Sequence, residues 1–216
     1  MSDTSSMAEG TGASYPARLD IDYPEAGLSR VKTLFRIILI IPIVIVLLLV
    51  SSSSSGWGSG DWESLYALFG ALFLPTLLML LFRRKYPRWW FDWNLELTRF
   101  VTRITAYMGL LREEYPSTDE QQAVHLDLDY PDASRDLKRW MPLVKWFLAI
   151  PHLILLFFLY IAAFLSVVFA WFAIMFTGRY PRGLFDFVVG VERWQLRVNA
   201  YAFLLITDRY PPFSLQ

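Results

Sequence analysis

Two pairs of arginines have the spacing that an anion-binding site on a helix would need. Arg99 and Arg103 form one pair, and Arg193 and Arg197 form the other. A spacing of four residues places both side chains of a pair on one face of a helix. A planar guanidinium group binds phosphate or carboxylate through parallel hydrogen bonds. The pairs therefore predict either contacts with an anionic lipid headgroup or partner, or a structural layer of ion pairs with carboxylates of the chain itself.

The carboxylates for such a layer come from two short, matching segments. In each segment aspartates alternate with aliphatic residues, as in the run from Leu19 to Asp22, which is typical of a strand with one buried face. The four aspartates are Asp20, Asp22, Asp127 and Asp129. Such a set could also hold a cation. A surface aspartate is more often only solvated, however, so we predict no metal site and no cofactor.

Within the apolar blocks, His152 is the residue whose side chain could transfer protons near neutral pH. An ionisable group within a membrane suggests an intramembrane polar site. The alternative, which the sequence favours, is a hydrogen-bonded residue of helix packing. Lys145 lies seven residues earlier on the same helical face, and we expect its ammonium group to extend to the membrane surface.

The distribution of apolar residues predicts a mainly α-helical integral membrane protein. Hydrophobic residues make up 55% of the 216 residues and are concentrated in long blocks. The formal net charge is +0, so no basic field favours nucleic acid. There is no cysteine, which excludes disulfides and thiolate chemistry. No nucleotide-binding loop, nucleophile elbow or zinc motif is present, and we predict no enzymatic activity.

The first half contains two apolar blocks that predict a transmembrane hairpin. They give spans at about 31–50 and 62–82, joined by a Ser/Gly-rich turn at 51–60. Residues 1–14 are polar and predict a disordered tail. Basic residues follow the second block from Arg83 to Arg88, which places this end on the cytoplasmic side.

The second half contains one apolar block, residues 141–177, whose only charge is Lys145. As a single straight helix it would be about 55 Å long, which exceeds the hydrocarbon core of about 30 Å. We therefore predict two short or partly re-entrant spans, at about 137–159 and 162–177, with a turn between Tyr160 and Ala163.

The two halves are predicted to be repeats of one unit, at 15–116 and 117–216. Each unit has a short β-strand, a transmembrane hairpin and an amphipathic interfacial helix, at about 89–111 and 184–206. An even number of crossings per unit places both termini in the cytoplasm and predicts a multi-pass inner-membrane protein. The matching segments are 18–24 with 125–131, 41–42 with 150–151, 85–88 with 179–182, 110–111 with 204–205, and the Tyr-Pro pairs at 115–116 and 210–211.

The second half also resembles a family of uncharacterised bacterial membrane proteins that carry a domain of unknown function (DUF4389-like), often in tandem. The first half resembles it more weakly, because Ile43 replaces the histidine and Arg84-Lys85 replaces Gly-Arg. The resemblance implies the membrane fold but no known reaction. It rests on Asp129–Pro131, Ile150–His152, Ala170–Ala173, Thr177–Pro181, Phe185–Phe187, Arg193-Trp194, Arg197, Tyr201 and Asp208–Phe213.

These observations predict a non-enzymatic scaffold or accessory subunit of a membrane complex. Its partners would be membrane lipids, including anionic lipids, and other membrane-protein subunits or a second copy of the chain. A small transporter or channel is the alternative, because internal repeats are common in transporters. An enzyme acting on lipid is a third reading, with His152 and the strand aspartates as its acid–base groups.

Overall fold

The computed structural model describes residues 15–25, 27–36, 39, 41–42, 75–83, 85–117, 122–133, 137–138 and 140–216. Most of the predicted first-half spans at 31–50 and 62–82 lies outside these ranges, as do the Ser/Gly turn and the predicted tail at 1–14. Within the described parts of those spans, residues 30–36 and 75–78 are helical and Met79–Arg83 forms a short π-helix.

The two predicted strands are present and pair with each other. Strand β1, Ala17–Ile21, and strand β2, Val124–Leu128, form an antiparallel two-stranded sheet with Leu19 opposite Leu126. Burial alternates along both strands, so one face of the sheet is apolar and covered while the other is exposed. This confirms the small strand layer that the alternating aspartates predicted.

Two helices of 21 residues each follow a Tyr-Pro sequence. Helix α1, Arg88–Met108, is preceded by Pro87, and helix α3, Arg182–Ala202, is preceded by Pro181. Both prolines have extended backbone angles. Because proline lacks a backbone N–H and its ring clashes with the preceding turn, neither helix extends to the residues before its proline. Both helices end before the predicted bounds of 111 and 206, and in the segments that follow them Leu110 and Leu205 adopt left-handed backbone conformations with φ of 60° and 57°. The structural equivalent of Leu110 is therefore Leu205, one position later than the sequence match suggested.

Between these two helices the chain forms one continuous helix, α2, Met141–Thr177. The predicted turn between Tyr160 and Ala163 is therefore wrong, and so is the division into spans at 137–159 and 162–177. No glycine, polar run or helix-breaking pair interrupts the apolar sequence there, and Pro151 lies within the helix without ending it. The helix ends at Gly178, whose φ of 74° is the left-handed conformation that glycine adopts most readily.

The elements form layers in which α3 is central. Helix α3 packs against both α2 and β1, which make no substantial contact with each other, while α1 packs against β2. Each helix therefore covers the strand that belongs to the opposite half of the sequence. The buried faces of both strands, much of α3 and the covered side of α2 share one hydrophobic core.

Tyrosine contacts that join the two halves occur in a matching pair. The Tyr23 hydroxyl donates a hydrogen bond to the Tyr180 carbonyl, and the Tyr130 hydroxyl donates one to the Tyr86 carbonyl. Tyr23 meets the ring of Phe185 edge-on at 5.0 Å, and Tyr130 meets the ring of Phe91 at 5.2 Å. The residues after each strand therefore anchor the Tyr-Pro turn of the opposite half.

The left-handed end of α2 gives a testable prediction. Replacing Gly178 with alanine forces a side chain into φ of 74° and should lower the free energy of unfolding by about 1 kcal/mol. Gly183, in the first turn of α3, is the control, because a Cβ there meets no atom within 4 Å. Gly183→Ala should leave stability unchanged or raise it by up to about 1 kcal/mol. Thermal unfolding of both variants in detergent checks this, and equal effects would contradict it.

Candidate functional site

The exposed face of the sheet carries alternating charges in a fixed register. Arg18 lies opposite Asp127, and Asp20 lies opposite His125. Arg18 also forms an ion pair with Asp129 at 2.7 Å. His125 lies 3.4 Å from the Asp22 carboxylate. Because these side chains are more than half exposed, each pair contributes only about 0–1 kcal/mol to stability.

The outer arginine of each predicted pair binds the strand of the opposite half. Arg193 donates from Nε to the Leu19 carbonyl at 2.8 Å and from Nη2 to the Asp20 carboxylate at 2.8 Å. Arg99 makes the same two contacts on the other strand, to the Leu126 carbonyl at 2.9 Å and to Asp127 at 3.1 Å. In both places one guanidinium group binds a strand carbonyl together with the aspartate that follows it.

The inner arginines contact main-chain carbonyls. Arg103 donates to the Ser117 carbonyl at 2.7 Å. Arg197 donates to the Ser214 carbonyl and, at 3.3 Å, to the Arg193 carbonyl. Burial lowers the pKa of Arg197 from its ordinary value, although its guanidinium remains protonated at physiological pH. These arginines therefore attach the segments that follow α1 and α3 to the helices.

Each arginine pair borders a cleft at one edge of the sheet. The two clefts have volumes of about 310 Å³ and 250 Å³. Each combines the arginine pair of one helix with residues of one strand, and the strand adds a third arginine, Arg18, to the first cleft. An anionic group could enter either cleft, but the guanidinium groups already bind oxygen atoms of the chain. The first cleft is lined by Tyr15, Ala17, Arg18, Leu19, Arg193, Arg197 and Gln216, and the second by Arg99, Arg103, Gln122, Val124, His125, Leu126 and Asp127.

Lys145 forms a buried ion pair at the start of α2. Its ammonium group lies 2.7 Å from an Asp208 carboxylate oxygen, donates to the Thr207 carbonyl at 2.7 Å and lies 5.2 Å from the centre of the Tyr201 ring. The side chain of Lys145 is 0% exposed. The expectation that it extends to the membrane surface is therefore wrong, because Asp208 and Thr207 provide oxygen ligands within the fold.

Arg36 occupies the corresponding position in the first half. It is buried, donates to the Tyr107 carbonyl at 2.9 Å and lies 4.5 Å from the centre of the Tyr107 ring. Glu113 corresponds to Asp208: Glu113 accepts from the Ser29 amide, and Asp208 accepts from the Lys138 amide. Sequence reasoning missed these two clusters. The signal was available, since Arg36 precedes Lys145 by the same 109 positions as Ile41-Pro42 precedes Ile150-Pro151.

His152 lies in an aromatic cluster between α2, α3 and the carboxyl-terminal segment. Its Nδ1 accepts a hydrogen bond from the Trp194 indole at 3.1 Å, so that nitrogen carries no proton. The ring is fully buried and stacks on Phe213 at 4.0 Å. Such an imidazole is neutral and held in place, an arrangement that favours the packing interpretation over proton transfer.

Glu192 is a further polar group that the sequence did not single out. It lies on α3, and burial raises its pKa to about 7. Among the described residues, no three histidine, aspartate or glutamate side chains converge closely enough to hold a metal ion.

The buried ion pair of α2 gives a second prediction. Lys145→Ala leaves the Asp208 carboxylate, which is 14% exposed, without its cation and should cost about 3–5 kcal/mol of stability. The control is Arg18→Ala, which breaks an ion pair whose partners are more than half exposed and should cost about 0–1 kcal/mol. Replacing the pair together, as Lys145→Met with Asp208→Asn, should recover much of the loss. Thermal unfolding measures all three, and similar losses for the two alanine variants would contradict the buried pair.

The outer arginines give a third prediction. Asp20→Asn should cost less than about 1 kcal/mol, because that carboxylate is 70% exposed. Arg193→Ala should cost about 1–3 kcal/mol, because it also removes the charge-assisted hydrogen bond to the Leu19 carbonyl. Chemical denaturation measures stability, and lipid analysis of the purified variants provides the second readout. Unchanged stability with loss of bound anionic lipid would instead favour the lipid-binding interpretation.

The comparisons with known proteins concern the second half. Residues 139–214 match the family model of a domain of unknown function (DUF4389), which supports the predicted resemblance over those residues. The matched segment contains α2, α3, the Lys145 ion pair and the His152 cluster. No curated protein and no solved structure matches the chain.

Proposed function

We propose that the chain is a non-enzymatic integral membrane protein of two tandem units that acts as a scaffold or accessory subunit of a membrane complex. The observation that carries this proposal is the surface of α2. Within the described residues, α2 is the one helix that is long and apolar enough to cross a membrane by length and composition. Most of its apolar surface is exposed in the isolated chain, and an apolar surface of this extent marks a membrane or protein contact.

The paired contacts support the tandem organisation. Arg99 and Arg193 bind opposite strands in the same way, and Arg36 and Lys145 occupy corresponding buried positions. Equivalent side chains with equivalent partners are what a duplicated unit would give. The family match covers the second unit only, so the first unit is proposed from these contacts and from the sequence.

The polar face of the sheet supports a binding role rather than catalysis. Its charged side chains are exposed and paired with one another. Acidic or basic groups of a partner subunit could replace these surface ion pairs at little cost in free energy, because the surface pairs are themselves weak. The arginine clefts at the sheet edges would contribute positive charge to that contact.

We place the protein in the inner membrane with both termini in the cytoplasm. The basic residues Arg83, Lys85 and Arg88 follow the first-half block, and Arg179 and Arg182 follow α2. Positive charge beside an apolar segment favours the cytoplasmic side. If the two units are equivalent, both basic clusters should lie on the same side of the membrane.

The membrane proposal is tested by fractionating cells that express the full chain. The protein should remain in the membrane pellet after an alkaline carbonate wash and should be released by a mild detergent, because its apolar surface is in contact with lipid. Recovery in the carbonate supernatant would contradict the proposal. An accessory role further requires a companion protein in affinity purifications from native membranes, and a chain that always purifies alone would contradict that role.

A further inference from the structure

We propose that α2 lies lengthwise in the membrane–water interface, with its exposed face in the lipid, instead of crossing the bilayer. This inference rests on the proposed membrane function, because it takes the lipid bilayer as the partner of α2. It adds the orientation of the helix and therefore the side of the protein that the bilayer contacts.

One side of α2 is covered by the rest of the protein along almost its full length. The buried positions recur every three, four or seven residues, so they form a single stripe on the helix. From the first to the last of them the stripe is about 48 Å long. Its members are Pro142, Lys145, Ala149, His152, Leu156, Ala163, Ala170 and Ile174.

Both ends of α2 are attached to segments that follow β1 or α3, the elements of the layer on which α2 packs. Near its start, Lys145 pairs with Asp208 at 2.7 Å. At its end, the Leu28 amide donates to the Gly178 carbonyl at 2.8 Å, and Arg30 donates to the Phe176 carbonyl at 3.0 Å. A helix that crossed the bilayer would leave this layer at one end, whereas α2 does not.

Helix α3 runs back along α2 in the antiparallel direction. Four residues join the end of α2 to the start of α3. The far end of α3 lies beside the first turns of α2, where Tyr201 and Ala202 pack on Ala149. The Trp194 indole meets His152 in between. The layer that carries the charged groups therefore follows α2 lengthwise.

The side of α2 opposite the covered stripe is apolar throughout. Phe147 is 73% exposed and Phe176 is 78% exposed, and the exposed positions between them continue the same face. Lys145 is the only charged residue of α2, and it lies in the covered stripe. The positions directly opposite the stripe include Phe147, Ile154, Phe158, Ile161, Leu165, Phe169, Phe172 and Phe176. Trp146, Tyr160 and Thr177 are the exposed side chains of α2 that carry a polar atom.

Polarity therefore changes across the layers and not along α2. The covered stripe of α2 packs on α3, and α3 in turn packs on β1, while α2 and β1 make no substantial contact with each other. The exposed face of the sheet carries Arg18, Asp20, His125 and Asp127. If α2 stood along the bilayer normal, these charges would extend into hydrocarbon, where exposed ionisable groups are rare and costly. With α2 in the plane of the interface, they remain in water.

Lipid fits this face better than a protein partner does. Protein–protein interfaces are only about 56–65% apolar and carry polar groups, whereas the side chains directly opposite the stripe contain none and only Trp146, Tyr160 and Thr177 add polar atoms to the exposed surface of α2. The helix is also about 55 Å long, far longer than the hydrocarbon core of about 30 Å. An in-plane helix has no such length limit, and its apolar face is immersed about 5–10 Å at the headgroup boundary.

The orientation is tested with spin labels on single cysteines, because the chain contains no cysteine. Phe147→Cys, Phe158→Cys and Phe169→Cys place labels eleven residues apart on one face, and His125→Cys on the exposed sheet face is the control. Each labelled full chain is reconstituted into bilayers of phosphatidylethanolamine and phosphatidylglycerol. Depth is measured from the accessibility of the label to oxygen and to a water-soluble nickel chelate. Thermal unfolding in detergent verifies that each variant is folded.

An in-plane helix should give three labels at one shallow depth and a control label in water. A helix along the bilayer normal would instead separate neighbouring labels by about 16 Å in depth, which would overturn the inference and leave the membrane proposal intact. Labels that are immobilised and coupled to one another without lipid contact would show that a second copy covers α2, which also overturns it. Failure of the unlabelled protein to enter bilayers would refute the proposed membrane function itself.

Discussion

The organisation of the described structure depends on the reciprocal contact between each strand and the helix of the opposite half. A two-stranded sheet is marginally stable by itself in water. Here Arg193 and α3 hold β1, while Arg99 and α1 hold β2. Each strand also places its apolar face in the common core. Among the described elements, the main contacts between helices and strands join opposite halves of the sequence, so the two halves depend on each other for their packing.

The covering of each strand by the helix of the opposite half also determines where α2 can lie. Helix α3 packs on both β1 and α2 and so connects the long helix to the sheet. The small residues Ala149, Ala163 and Ala170 are all buried in that contact region, and small side chains permit close approach of helices. The large aromatic side chains of α2 are consequently turned away from the layer. The covered side of α2 thus differs from the exposed side both in these small residues and in its two polar residues, Lys145 and His152.

The buried cations fix the first turns of the apolar segments to the layer. A buried charge is costly unless oxygen ligands compensate it, and Asp208 and Thr207 supply them for Lys145. Arg36 obtains a carbonyl and an aromatic face from Tyr107. A long side chain in an apolar block does not by itself indicate whether it extends to water or inward. The outcome depends on whether a carboxylate lies within its reach.

The sequence alone determined the local elements: the alternating strands, the helices after the Tyr-Pro turns and the apolar character of residues 141–177. These follow from the period of the hydrophobic pattern and from proline geometry, which act over a few residues. Only the tertiary structure decided that this block is one helix, that each strand is covered by the opposite half, and that Lys145 is buried on Asp208. These features depend on contacts between residues far apart in the chain, and a local pattern carries no information about which distant group will be the partner.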